Sequence, residues 1–385
     1  MRDAVSSDIT AETAREAVAA WVARQANADP AFRGAFLTGS LTALPADAPL
    51  PRTSDVDVTV VIAEQPAGPP RERRKGKRLV DGLLLDVSYL DEGALADPTR
   101  VAASFVYAPS FRGGQVLADP TAQLARLEAA IAPGFATPAA VRARTADVHR
   151  RIRARLSALN PRAAWADLVL TWLFPTSLPA VAGLVAALRT PTVRLRYLRA
   201  REVVAPAEYE RLLALLGCAD VAPRLVERHL DVVTTWFDET AALLARAEDG
   251  PTIAPAASDR GAVSDRGAVS DRAAASLGAA ASAGAPGGDR PLPYAADLTP
   301  DARPVAIDGS RVLLDSGDHR EAVFWIAATA ARCQAALTAR AAAVAEERAP
   351  QFRALVADLT GLRTPADVLT RRDALLATLA ATATG

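Results

Sequence analysis

The sequence predicts an α/β (α+β) domain with a small mixed sheet, followed by an all-α helical-bundle domain. Within the first 135 residues, short segments alternate polar and apolar residues with the period-two pattern of strands. From Thr137 to Glu248, apolar residues instead recur every three or four positions, which is typical of packed helices. The chain has 385 residues and is 50% hydrophobic, so it is long enough to bury more than one core.

The first part begins with a helix and continues through strands joined by turns. Thr10 is a suitable N-cap for a helix that extends to about Asn27, and Pro30 ends it. Asp81-Gly82 suits a two-residue type I′ turn, which predicts a β-hairpin around it. A helix from about Thr121 to Ile131 closes this part. The predicted strands cover residues 34–38, 55–62, 79–80, 83–90 and 115–118.

The helical part is interrupted by a segment of low complexity. Residues 249–304 are rich in Ala, Gly, Ser, Pro, Asp and Arg, and they contain two copies of Ser-Asp-Arg-Gly-Ala-Val. This composition predicts a disordered insertion, because it cannot bury a core. Further helices are expected from about Asp318 to Glu347 and from Pro365 to Ala381. The predicted divisions are a first domain at 1–135, a helical domain at 137–248, the insertion at 249–304, and helices at 305–385 that complete the helical domain.

One segment is long and apolar enough to raise the question of a membrane span. Leu168 to Leu188 contains no charged residue over about twenty positions. Pro175 would break a continuous helix, so we expect two short buried helices joined at Phe174-Pro175-Thr176 and no membrane segment.

Charge and cysteine content narrow the function classes. The 44 basic and 44 acidic residues give no net charge, so nothing drives the chain as a whole towards nucleic acid, and nucleic acid is an unlikely partner. Cys218 and Cys333 are too few and too far apart for a disulfide framework or a zinc cluster, which fits two reduced thiols. The start of the chain has no apolar signal segment, so we expect a cytoplasmic protein.

Three carboxylates and a small-residue turn fall in the predicted sheet. Asp55 and Asp57 lie at positions i and i+2 of one strand and therefore project from the same face. Asp86 lies inside the second arm of the hairpin, and Gly39-Ser40 ends the strand at 34–38. Carboxylate oxygens are the ligands that Mg²⁺ prefers, and glycine allows close approach of a phosphate to the backbone. The pattern therefore predicts a magnesium site beside a phosphate-binding turn.

These residues resemble the signature of the DNA polymerase β type nucleotidyltransferase superfamily. That signature is a hydrophobic strand, Gly-Ser or Gly-Gly, a loop, Asp-x-Asp followed by apolar residues, and later a third Asp or Glu. The sequence reads Phe36-Leu37-Thr38-Gly39-Ser40, then Ser54-Asp55-Val56-Asp57-Val58, then Leu85-Asp86-Val87. A small catalytic domain followed by a helical domain is most similar to the antibiotic (aminoglycoside) nucleotidyltransferases. The resemblance covers about residues 30–135, and the loop between Ser40 and Asp55 is longer than is usual in the family.

The resemblance implies a reaction and a role for each matched residue. Asp55, Asp57 and Asp86 are expected to be catalytic and to hold two Mg²⁺ ions, while Gly39 and Ser40 contact the nucleotide phosphates. The expected reaction transfers a nucleoside monophosphate, most simply AMP from ATP, to a hydroxyl of a small molecule and releases pyrophosphate. The predicted partners are a nucleoside triphosphate and a small hydroxylated acceptor.

Two other hypotheses stay open. The same minimal domain serves proteins that modify a protein or RNA partner, as in toxin and antitoxin systems. The second hypothesis is a nucleotide-binding interaction protein without catalytic activity, and the intact carboxylates count against it.

Several further polar groups are weaker candidates. The basic run from Arg71 to Arg78 could reach a triphosphate, although such runs are usually solvated loops. Glu321 or His319 could act as a general base, although Asp318 and its neighbours can simply cap a helix. Four arginines of the helical domain could face the phosphates or lie exposed: Arg194, Arg196, Arg199 and Arg201.

Overall fold

The computed structural model describes residues 9–63, 76–248 and 294–381. In these ranges a small mixed sheet is followed by a large helical part, which confirms the predicted fold class. The strands are β1 Phe32–Leu37, β2 Val56–Ile62, β3 Gly76–Val80, β4 Leu83–Asp91 and β5 Val116–Ala118. The helices are α1 Ala11–Ala28, α2 Pro98–Ala102, α3 Gln123–Ile131, α4 Pro138–Ser157, α5 Trp165–Ala186, α6 Arg196–Arg201, α7 Pro206–Leu216, α8 Pro223–Glu248, α9 Gly309–Asp315, α10 His319–Arg340, α11 Ala342–Thr360 and α12 Pro365–Ala381.

The five strands form one sheet in the order β3-β4-β2-β1-β5. Strand β2 pairs with β4 in parallel, and the other neighbours pair antiparallel. The β3–β4 hairpin closes through Asp81 and Gly82, which both have positive φ, as the type I′ turn requires. The predicted hairpin is therefore confirmed.

The alternation of side chains along β2 shows which residues lie on each face of the sheet. Val56, Val58 and Val60 pack against α1, and Trp21 lies in the same cluster. Val61 points to the opposite face and joins a second cluster with Phe36, beside α3. Asp57 alternates with the valines, so its side chain belongs to this second face. The candidate site is thus on the side of the sheet away from α1.

The helical part has a single large core. Helix α5 packs against α4, α7 and α10, and α10 in turn packs against α8 and α11. Buried aromatic side chains from four helices belong to this core: Trp172, Phe237, Phe324 and Phe352.

Helix α5 corrects one prediction. The sequence suggested two short helices joined at Pro175, but Trp165–Ala186 is one helix with Pro175 and Pro179 inside it. Most of the helix is buried against its neighbours, so tertiary packing outweighs the backbone hydrogen bonds that the prolines remove.

The end of the predicted insertion is also corrected. Residues 249–293 lie outside the described ranges, but residues 294–304 are folded into short 3-10 turns. Tyr294 and Leu298 are buried there in the core of the helical part. A π-helix at Pro304–Asp308 and α9 follow, so helical structure resumes before Asp318.

Candidate metal and nucleotide site

The register of the sheet places three polar side chains in one row. Asp57 on β2 is paired with Asp86 on β4 in the parallel ladder. Asp86 is paired on its other side with Lys77 on β3. Directly paired residues project from the same face of a sheet, so Lys77, Asp86 and Asp57 line up across three strands.

Asp55 is the residue immediately before β2, and its side chain lies beside this row. Ligand oxygens of Asp55, Asp57 and Asp86 all lie within 4.8 Å of one another, and the three residues are partly buried. Within the described ranges, this is the acidic group that could hold a metal ion. Three convergent carboxylates suit a hard divalent cation. The structure therefore brings together the three carboxylates that the sequence singled out.

Gly39 lies directly against this group. A Cβ built on Gly39 would come within 1.9 Å of Asp57 Oδ2, and the glycine has a φ of 69° and a ψ of −156°. The Thr38 N–H donates to the Asp57 carbonyl at 3.0 Å, which ties the end of β1 to β2. Only glycine fits here, because a side chain would collide with the carboxylate and the backbone conformation is essentially restricted to glycine.

Ser40 begins a 3-10 helix that extends to Ala43. Its hydroxyl lies 3.1 Å from the Ser54 hydroxyl, at the other end of the loop that precedes Asp55. Gly39-Ser40 and the acidic triad thus belong to one site, although 14 residues separate Ser40 from Asp55 in the chain.

Lys77 supplies a positive charge in the middle of this site. Its ammonium donates to Asp55 Oδ2, and it lies 3.0 Å from Asp86 Oδ2. The third ion-pair partner is Asp297 in the turn after the insertion, at 3.7 Å. The Lys77 side chain is only 6% exposed. Burial alone would lower the pKa of Lys77, but the three carboxylates outweigh it and raise the pKa above its ordinary value.

Asp297 links the sheet to the helical part. Arg332 on α10 approaches Asp297 Oδ2 at 3.5 Å, and its guanidinium lies over the Trp325 ring at 4.9 Å from the centroid. Close by, a Cβ on Gly76 would meet the Ala296 Cβ at 2.6 Å, so β3 and the turn at Ala295–Asp297 are in tight contact. A carboxylate distant in sequence is therefore held next to the triad.

The four arginine candidates have different environments. Arg194 approaches the site by donating to the Thr53 carbonyl at 2.6 Å, and burial lowers its pKa while Asp55 opposes that effect. Arg196 is buried and donates to Ser177 inside the helical part. Arg199 pairs with Glu202 at the surface. Arg201 binds Asp318 and Glu321 at 2.8 and 2.9 Å.

Glu321 belongs to a separate polar cluster. It is 3% exposed and accepts hydrogen bonds from Arg201 and from the Tyr209 hydroxyl. Glu321 precedes Arg332 by eleven positions on α10, which corresponds to about 16 Å along the helix. Asp318 makes no side-chain capping bond and pairs with Arg201 instead. These contacts support a structural role for Glu321.

Sequence reasoning missed Lys77 and Asp297. Lys77 was placed in a solvated basic run, of which residues 71–75 lie outside the described ranges. The hairpin itself contained the signal, because counting back from the Asp81-Gly82 turn places Lys77 opposite Asp86. Asp297 carries no comparable signal, since its position depends on the folding of the helical part.

The comparisons with known proteins add no relative. No family model matches this sequence, and no curated protein matches it. What the chain shows is a small mixed sheet and a helical domain with a partly buried acidic triad. That combination is compatible with a nucleotidyltransferase fold.

Proposed function

We propose that the protein is a magnesium-dependent nucleotidyltransferase that transfers a nucleoside monophosphate, most simply AMP from ATP, to a hydroxyl of a small molecule. The observation that carries the proposal is the convergence of Asp55, Asp57 and Asp86 beside Gly39. The residues fit the metal, because the donors are carboxylate oxygens and the adjacent turn leaves no room for a side chain.

The chemistry follows from the residues present. Asp55, Asp57 and Asp86 would hold Mg²⁺, which would neutralise charge on the triphosphate. The backbone at Gly39 and the Ser40 hydroxyl offer donors to phosphate oxygens. A bond forms between the acceptor oxygen and the α-phosphorus, and the bond from the α-phosphorus to the bridging oxygen breaks. Pyrophosphate leaves with that electron pair, and Asp86 is the candidate that takes the acceptor's proton.

Substitution of Asp57 tests the assignment. Asp57→Asn keeps the shape of the side chain and removes its charge, so we expect Mg²⁺-dependent pyrophosphate release from ATP to fall at least about a hundredfold, since even groups that only orient a ligand cost 10–100-fold. The matched control is Asp81→Asn, which removes an exposed carboxylate from the hairpin that carries Asp86. Its rate should be unchanged.

The acceptor is identified in the same assay. Labelled ATP, GTP, CTP and UTP are each incubated with pools of small hydroxylated compounds, with RNA and with protein, and the products are separated by mass. Label on small molecules is expected. Label on RNA or protein would support the macromolecular alternative, whereas ATP binding by calorimetry with no labelled product in any pool would support a non-catalytic nucleotide-binding protein. Full turnover by Asp57→Asn would contradict the proposal.

A further inference from the structure

Lys77 is an unusual residue in this chain. It is one of two lysines among 44 basic residues, the rest being arginines. Arginine presents a wide planar fork, whereas the lysine ammonium is a compact point charge. The chain therefore has a lysine at a position where a small cation fits among carboxylates and a guanidinium fits less well.

The contacts of Lys77 overlap with those of a metal ion. Its ammonium is bound by Asp55 and Asp86, which are two of the three carboxylates of the triad. A divalent cation held by the same oxygens would lie a few ångströms from this charge, where repulsion is strong because the site is largely buried. The ammonium and the metal therefore compete for the same two carboxylates.

Asp297 offers the ammonium another partner. It is already within 3.7 Å of the Lys77 Nζ, and it is not part of the triad. Arg332 is 3.5 Å from the other oxygen of Asp297, which holds the carboxylate in position. A short movement of a flexible lysine side chain would exchange the triad for Asp297.

We infer that Lys77 is the resident counter-cation of the site and that a divalent ion displaces it towards Asp297, so that metal loading and release of Lys77 are one event. This inference rests on the metal site of the proposed function. Lys77 is then a positioning residue: it holds the carboxylates together without metal and lowers the affinity for metal in the absence of nucleotide.

Mn²⁺ binding without nucleotide tests the inference. Electron paramagnetic resonance titration gives the Kd of the full-length protein and of Lys77→Met, which removes the charge and keeps an unbranched side chain. We expect Mn²⁺ to bind Lys77→Met at least about tenfold more tightly, because the competing charge is gone. The control is Arg78→Met, which removes one charge from the same strand, where Arg78 lies over the Trp21 ring on the other face of the sheet. Its Kd should stay within about twofold of the original value, since its charge is outside the site.

Asp297→Asn tests whether the Lys77 ammonium moves to Asp297 when the metal binds. The change also removes a negative charge near the metal and therefore weakens Mn²⁺ binding directly. Its effect on the Kd for Mn²⁺ is therefore measured both in the original protein and in Lys77→Met. We expect a larger loss with Lys77 present than in Lys77→Met, because only the lysine needs Asp297 as a new partner. Equal losses would show no coupling and would overturn that part of the inference.

Thermal unfolding provides a readout that does not depend on activity. Without Lys77 the carboxylates repel one another, so Mn²⁺ should raise the Tm of Lys77→Met more than that of the original protein. If Lys77→Met does not fold without metal, refolding on addition of Mn²⁺ supports the inference and failure to refold counts against it.

Other results separate this inference from the proposed function. Equal Mn²⁺ affinity of the original protein and Lys77→Met, or no Mn²⁺ binding by either, overturns the role of Lys77 as an exchangeable counter-cation. Tighter Mn²⁺ binding by Lys77→Met in a protein that forms no product with any acceptor leaves the inference standing and removes the transferase assignment.

Discussion

Gly39 and Asp57 depend on each other at the level of single residues. The carboxylate occupies the space where a side chain at position 39 would begin. The glycine therefore determines where Asp57 points, and Asp57 in turn determines where the triad converges.

Gly39→Ala tests this dependence. We expect a loss of about 1–3 kcal/mol in the free energy of unfolding, measured in urea, because alanine is strained at this backbone conformation. We also expect Mn²⁺ to lose its stabilising effect, because the new methyl group displaces the Asp57 carboxylate.

Gly82→Ala is the matched control for that change. Gly82 also has a positive φ, of 80°, but a Cβ there meets nothing within 4 Å. The Gly82→Ala protein should show a similar backbone strain but should still be stabilised by Mn²⁺. A Gly39→Ala protein that is stabilised by Mn²⁺ as before would show that the glycine does not position Asp57.

The residues of the site were predictable to different degrees. Asp55 and Asp57 could be placed on one face because the side-chain period of a strand is two, and Asp86 because the hairpin turn was recognisable. Lys77 followed from the same turn but was overlooked, since a run of basic residues suggested solvent. Asp297 could not be predicted, because no local pattern connects it to a sheet 220 positions earlier.

At the level of elements, α5 is stabilised by its surroundings. Pro175 and Pro179 deprive the carbonyls of Thr171 and Pro175 of their usual N–H donors. Ser177, in the same stretch, donates to the Phe174 carbonyl at 2.7 Å and accepts from Arg196 on α6. The Ser177–Arg196 contact thus joins α5 to α6 at the part of α5 where the prolines remove backbone hydrogen bonds.

Ser177→Ala measures that contact. Arg196 is only 4% exposed, and burial lowers its pKa to about 10, so its guanidinium depends on the few acceptors it has. We expect a loss of about 1–3 kcal/mol in the free energy of unfolding from urea denaturation, because a buried charged donor loses a partner.

Ser316→Ala removes a comparable hydroxyl that donates to a helix carbonyl at an exposed position. It should cost less than about 0.5 kcal/mol, as surface substitutions usually do. Equal effects of the two substitutions would mean that the Arg196 contact contributes nothing.

The helices and strands show where local sequence patterns are sufficient to predict secondary structure. The strands and the first helix were predicted within a few residues, because alternation, an N-cap and a turn dipeptide are local signals. The continuity of α5 was predicted wrongly, because the rule that proline ends a helix takes no account of helices packed on several sides.

At the level of the whole molecule, the long apolar helices are explained by their burial in the core of the helical part. Within residues 9–63, 76–248 and 294–381, two helices have the length and composition of a membrane span, α5 and α10, and 78% and 83% of their apolar windows are buried in the structure. Such helices are common as core helices of bundles, which is where these two lie.

The two cysteines report on the integrity of this core. Burial raises the pKa of Cys218 and of Cys333 to about 12. The folded state therefore holds these protons to higher pH than the unfolded state, and this contribution to stability is lost as the pH rises towards 12. At pH 8 both cysteines are therefore held as thiols, and the thiolate, which is the reactive form, is scarce.

Iodoacetamide labelling followed by mass spectrometry tests this expectation. At pH 8 the folded protein should incorporate no label within an hour, whereas in urea both cysteines should react and labelling should follow the unfolding curve. Single variants, Cys218→Ser and Cys333→Ser, assign each site. Rapid labelling of either thiol in the absence of urea would show that the core opens locally.

The contact between Gly76 and Ala296 has a consequence for self-association. Strand β3 is an outer strand of the sheet, and outer strands offer unpaired backbone groups to any other strand that approaches. The turns at Ala295–Asp297 and Pro300–Ala302 pack against β3. The same short segment that brings Asp297 to the site thus shields the β3 edge of the sheet from pairing with another copy of the chain.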